Sequence, residues 1–437
     1  MNHGKHTVGR RTVLAGAAAG STALALAACG GGGGSSDGTV TLQMVESITS
    51  SSRTELLRGL LDQYEQETPG VRVELVSPPT EQADQKLQQM LQAGSGVDVL
   101  EVRDLTIGPF TNNGWLHDMS EQTEGWSGFE ELTAQARAFA TSVDGKTYAI
   151  PYGFYGLSLY YRPDLLEEAG FDEAPATWEE LVEQAGAIQD PGSGRYGYAF
   201  RGTSNAIGQA LAALEAYNAE DLDLENAYRL SSGETIFSSA ASQEALDLYI
   251  ELYREGSPES SVSWGYPEVV EAFTNGSTAF LLQDPEVIAA VEQSSLTEDQ
   301  WAVAPLVTGP GGKATWPMAT AGWGVAESSE NKEAAVALVQ WLSGEPSTTF
   351  AKENSLVPIQ QAAAEDDFFT TGPWAAYVTM TEAPDTYLSC QEPRGVAWWT
   401  EWGQRSDSDL QKILTGSLST TDALAGWNEY WTQKSEG

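Results

Sequence analysis

From Val40 the chain alternates apolar and polar positions through Leu42 and Met44, the two-residue period of a half-buried strand. The period then changes. Leu56, Leu57, Leu60, Leu61 and Tyr64 recur at helical spacing until Pro69-Gly70 stops them. Val71–Val76 reads as a second strand, Gln82–Ala93 as a second helix closed by Gly94, and Val97–Val102 as a third strand. This βαβαβ rhythm predicts a mostly parallel sheet with right-handed crossovers. Further along, Ser158–Tyr161, Thr278–Leu282, Trp301–Ala304 and Trp323–Ala326 read as short strands. Thr177-Trp178-Glu179-Glu180 is a capping box that opens a helix running to about Gln189. Helices also fit Ser242–Glu255, Asn331–Leu342 and Thr421–Gln433, and Trp341 lies on the apolar face of the second of these, which predicts a core position.

Before the first strand the pattern is of another kind. Lys5, Arg10 and Arg11 precede an apolar stretch, Val13 to Ala28, of small residues. It is too short for a comfortable membrane span and has the layout of an export signal. Arg10-Arg11 with Leu14 resembles a twin-arginine signal, although Val13 and Ala15 stand where Phe and Lys are usual. Leu26-Ala27-Ala28-Cys29 resembles a lipobox, so residues 1–28 are expected to be removed and Cys29 to carry a lipid. The glycine-serine run within 29–38 suits a flexible tether. The competing reading is an ordinary secretory signal that happens to be cut near a cysteine.

Charge narrows the partners. The chain carries −40, and −43 once the three cations ahead of Cys29 are removed, which disfavours nucleic acid and anionic lipid. A membrane contact is therefore expected only through the N-terminal lipid. Past the anchor there is one cysteine, Cys390, and one histidine, His117. Cys390 is expected to be a small buried side chain and His117 a structural hydrogen-bonder. Zinc sites and Cys–His or Ser–His nucleophile pairs lack the parts, and no cofactor or metal is expected. Three motif candidates fail. Gly309–Lys313 has Val307 at the first glycine position of a phosphate loop and Ala314 at its hydroxyl position. Gly202–Ala206 lacks the second glycine of a nucleophile elbow, and Asp221–Glu225 lacks the glycine of a calcium loop. With 62 Asp and Glu in the chain, no acidic pair stands out as a glycosidase couple.

One segment carries more. YAIPYGFYGLSLYYRPDLL, Tyr148 to Leu166, is followed by Gly170-Phe171 and by PATWEEL at Pro175–Leu181. It resembles the signature of bacterial extracellular solute-binding proteins, the receptors of ABC importers, in the branch with maltose-, trehalose- and oligosaccharide-binding members. Supporting blocks are AFTNGSTAF (Ala272–Phe280), VAPL (Val303–Leu306), AGWGVA (Ala321–Ala326), NKEAA (Asn331–Ala335) and Trp341-Leu342. The resemblance implies an α/β, two-lobe periplasmic-binding-protein-like fold with discontinuous lobes and hinge strands. The expected division is 39–151 with 279–327 for the N-terminal lobe, and 152–278 with 328–437 for the other. It implies a monomer outside the cell membrane that binds a mono- or oligosaccharide between the lobes and delivers it to ABC permease subunits, without catalysis. The alternatives are an exported glycoside hydrolase and a receptor for a polyamine or a sugar phosphate.

Ligands of open α/β sheets sit beyond the carboxyl ends of the strands, so loops after Met44, Val102, Pro151 and Pro305 are expected at the cleft. A sugar needs flat aromatic faces and planar polar groups. By resemblance, Gly322 and Trp323 form a glycine–aromatic pair against the ligand, and Arg394 and Trp399 supply an arginine and an aromatic. Phe154 and Tyr155 follow the hinge. Arg103 or the adjacent Asp104, Glu46 after the first strand, and Asp284 complete the expected site. Three positions depart from the family's pattern. Tyr155 stands where an acidic residue is frequent, Arg103 where Asp is common, and Asp284 where close relatives have a stacking Trp.

Overall fold

In the computed structural model, residues 39–436 are described apart from Ser50, Ser204, Met318, Gly395 and Ala397. The export signal, Cys29 and the tether lie outside the described residues. The strands in chain order are β1 (Val40–Val45), β2 (Val71–Val76), β3 (Val99–Arg103), β4 (Ala149–Tyr155), β5 (Ser158–Tyr161) and β6 (Tyr196–Tyr198). They continue as β7 (Thr278–Gln283), β8 (Ala302–Ala304), β9 (Ala314–Pro317), β10 (Ala319–Val325) and β11 (Tyr387–Cys390). They build two main sheets, β2-β1-β3-β10-β4 and β6-β7-β5-β8, with β9 and β11 as a separate pair.

The opening rhythm is realised as the pattern dictates. Leu57, Leu60, Leu61 and Tyr64, on the helix Ser51–Glu67, are all buried against the first sheet's core with Leu42 and Met44 of β1. Strands β1, β2 and β3 pair in parallel. The helix Thr80–Ala93 ends on Gly94, whose left-handed φ of 65° lets its N–H close onto Leu91 O. At the other capping signal, Thr177 Oγ1 accepts from Glu180 N at 3.2 Å while Glu180 Oε2 accepts from Ala176 N at 2.7 Å.

The later strands do not follow chain order. β10 enters the first sheet antiparallel between β3 and β4. β7 and β8 both belong to the second sheet, pairing with β5. Strand pairing thus divides the chain otherwise than expected: of 279–327, only β10 joins the first sheet. Helices Lys332–Ser343 and Glu345–Glu353, expected on the second lobe, pack on β10 and β4 of the first. The chain crosses between the sheets at Gly156-Leu157, again between β9 and β10, and again near Val357, which exchanges both backbone hydrogen bonds with Phe154. No described helix is long and apolar enough to cross a membrane.

Candidate functional site

The loops that leave the carboxyl ends of β1 and β3 are set by one buried carboxylate. Glu101, in the middle of β3, accepts from the backbone N–H groups of Ser47 (2.5 Å) and Ile48 (2.7 Å). Its other oxygen pairs with Arg53 at 2.5 Å and accepts from Tyr152 OH at 2.7 Å. The Arg53 guanidinium lies over the rings of Tyr152 and Phe350. Both charges are out of water, and the pair is retained because every oxygen of Glu101 has donors. The clamp fixes the turn after β1.

Beyond that edge lies a cleft with about 710 Å³ of free space, open solvent included. Asp104, just past β3, projects into it, with Phe154 and Thr320 from the neighbouring strand ends, Cys390 from the end of β11, and Glu392 and Arg394 from the segment after it. Asp104 Oδ2 lies 3.4 Å from Arg394 Nη1, and Arg394 Nε donates to Glu392 Oε2 at 2.7 Å while Nη2 also pairs with Glu392. β11 is tied through β9 to the second lobe. Thr315 of β9 donates to Glu215 at 2.8 Å, on the helix Ile207–Asn218, and Gln209 of the same helix donates to Leu282 O of β7 at 2.7 Å. The Asp104–Arg394 contact therefore bridges the two lobes.

Burial raises the Asp104 carboxyl above its ordinary range, against the pull of Arg394. Burial also works against the Arg394 charge, but Glu392 and Asp104 outweigh it and hold the guanidinium protonated. Glu215, buried beside Glu392, is pushed well above the usual carboxylate range by desolvation and then by its neighbour's charge. The Cys390 thiol is buried and raised in the same way, mainly by desolvation, and it is the free cysteine among the described residues. A second polar group lies where β7 ends. Asp284 is pushed up to about 7 by burial and by Glu286, and Tyr155 up to about 12 by burial with Glu286 and Glu101 adding to it. No group of three or more His, Cys, Asp or Glu among the described residues is arranged to hold a metal ion.

Of the expected residues, the structure gathers Phe154, Asp104 and Arg394 at the cleft. Tyr155 and Asp284 share the electrostatic reach of Glu286. The others stand elsewhere. Trp323 is 1 % exposed, its ring 5.0 Å from Tyr152 and 6.2 Å from Phe350, so its faces are spent on the core. Gly322 serves the sheet: a Cβ there would lie 2.2 Å from Ile150 O, at the register shift between β10 and β4. Glu46 is fully buried and accepts from Thr54 Oγ1 at 2.6 Å, so it braces the helix below. Arg103 pairs with Asp84 of the helix Thr80–Ala93 at 3.1 Å. Trp399 joins an aromatic cluster under the second lobe, 5.7 Å from Tyr228 and 6.5 Å from Trp431. Trp341 is only half-buried. Glu392, Glu101 and Arg53 were not anticipated. The signal for Glu101 was a charge in mid-strand among Val99, Leu100 and Val102, and for Glu392 its place two residues before Arg394.

The sequence profile described as bacterial extracellular solute-binding protein matches residues 50–349. The mannitol-binding protein of Pseudomonas aeruginosa is 26% identical over 366 residues, covering 76% of this chain and 79% of that one. The erythritol/L-threitol-binding protein of Mycolicibacterium smegmatis is 24% identical over 331 residues, covering 69% and 67%. Among solved structures, the sugar-binding protein MalE of Xanthomonas citri superposes with a TM-score of 0.75 at 21% identity, covering 90% of this chain and 97% of that one. That likeness shows the fold: two α/β lobes.

Proposed function

Because the chain belongs to the family of bacterial extracellular solute-binding proteins, we propose that it captures a sugar or sugar alcohol between its lobes and delivers it to an ABC importer. The observation that carries this reading is the Glu392–Arg394–Asp104 group at the cleft. A guanidinium fork flanked by carboxylates offers donors and acceptors to vicinal hydroxyls, and Phe154 and Ile107 give apolar surface for the C–H face. Two carboxylates against one guanidinium oppose a sugar phosphate. Both acids are tied to Arg394, which suits binding better than turnover. Closure follows from contacts made better with the lobes together, and the Asp104–Arg394 bridge is positioned to rearrange as hydroxyls enter.

The test is a thermal-shift and calorimetric screen over monosaccharides, alditols, maltose and spermidine, since a ligand of the folded state alone raises its apparent stability. A hydroxylated ligand should bind stoichiometrically, and Asp104→Asn should weaken it on the order of 10-fold, about 1.4 kcal/mol. Spermidine as the only ligand, or hydrolysis of the maltose, overturns the reading. The same proposal includes a lipid anchor at Cys29, supported by LAAC and the glycine tether that follows. Cys29→Ser should release the protein from the membrane or leave it unprocessed; a trimmed protein still on the membrane contradicts the anchor.

A further inference from the structure

On the outside of the first lobe lies a second groove, with about 1000 Å³ of free space, solvent at its mouth included. Its walls are two half-buried tryptophans, Trp126 and Trp341, from separate parts of the chain. Trp341 is not held by apolar packing alone. Its ring sits 5.3 Å from Tyr64, and its Nε1 donates to Glu67 Oε2 at 2.9 Å. Glu67 is itself held by Gln63, whose Nε2 donates to Oε1 at 2.8 Å. Trp126 is folded back over Gly128 so closely that a Cβ at 128 would lie 2.3 Å from the indole. Among the described residues no hydrogen bond reaches Trp126 Nε1, so that donor is open. Around the rings stand Gln340, Ser127, Thr349, Glu131 and Glu345, and among the described residues no Lys or Arg lines the groove.

Preset aromatic surface ringed by carboxamides, hydroxyls and carboxylates is the chemistry that recognises saccharides: indole for the C–H face, planar polar groups for the hydroxyls. The absence of a lining cation rules against an acidic glycan. The geometry points to a second saccharide site here, separate from the cleft, that takes a neutral or amino-bearing oligosaccharide chain across Trp126 and Trp341. Two indole walls can each take a sugar ring, which suits several sugar units better than one.

The experiment titrates the full chain by calorimetry with maltohexaose, cellohexaose and a chitosan hexamer, with spermidine as the cation control. Trp126→Ala removes a wall. Gly128→Ala keeps the indole but displaces it, and backbone strain does not arise because Gly128 has no left-handed φ. Melting curves establish that each variant is folded, and Gly128→Ala answers the question if Trp126→Ala is unstable. At least one hexasaccharide should bind, weakening on the order of 10-fold in both variants. The titrations are repeated on an Asp104→Asn background, which weakens the cleft, so hexasaccharide binding that persists there and falls in the two groove variants belongs to the groove, which separates failure of this site from failure of the cleft. The proposal is overturned if no hexasaccharide binds, if binding survives both variants, or if spermidine alone is lost with Trp126.

Discussion

Trp323 shows how a residue's neighbours in sequence can suggest a surface that its neighbours in space remove. Flanked by Gly322 and Gly324 it reads as an aromatic presented from a pliable strand, yet it is wedged between Tyr152 and Phe350. Trp323→Ala should therefore cost about 3–5 kcal/mol of stability, as core tryptophans do, and leave affinity per folded molecule nearly unchanged. Urea unfolding and calorimetry read the two quantities separately; lost affinity with an intact fold would return Trp323 to the site. Asp284 makes a different prediction. Folded, it holds its proton up to about 7, raised by burial first and Glu286 second, while its ordinary value is 3.8. Between those values the folded state binds the extra proton, so this group's contribution to stability falls as pH rises from about 4 to 7. Asp284→Asn keeps an acceptor for Glu286 N and should flatten that decline. An unchanged slope in unfolding free energy between pH 4 and 7 would show that Asp284 titrates normally.

Elements built from neighbouring chain were legible; elements built from distant chain were not. The alternation at Val40–Met44 and the helical repeat at Leu57–Tyr64 encode their own burial, so the opening βαβαβ unit follows from them. Nothing in AGWGVA says that it will slide between β3 and β4, because that choice is made by partners 168 or more residues upstream. The same limit explains the site. Asp104 was readable as the residue after a strand, whereas its closeness to Glu392 depends on how β11 pairs with β9. Gly322 is where this nonlocal packing is tightest. A methyl there meets backbone of β4, which cannot swing aside like a side chain. Gly322→Ala should cost toward the upper end of the about 1–3 kcal/mol typical of overpacking, seen as a lower midpoint in urea with an unchanged m-value. A neutral effect would mean that the bulge between Ala321 and Gly322 relaxes freely.

Over the whole molecule the dominant quantity is a net charge of −40. Such a surface keeps copies apart, and it also repels itself in the compact state. Raising the ionic strength from about 0.05 to about 0.5 M should thus raise the melting temperature, as screening shortens the reach of each charge from over 10 Å to under 5 Å. A flat response would mean that repulsion among the surface carboxylates does not limit the stability of the folded state. The insertion of β10 has a consequence in time as well as in space. A chain made from its N-terminus supplies β3 and β4 long before residues 319–325 exist to fill the slot between them. Until then two strand edges are without their native partner, and edges of that kind recruit other chains. The nascent protein cannot complete its first lobe and then turn to the second. The first lobe must wait for this late segment, which makes its folding slow and dependent on distant contacts. Truncation between β4 and Ala319 should leave an aggregation-prone fragment, although four of the first sheet's five strands would already have been made.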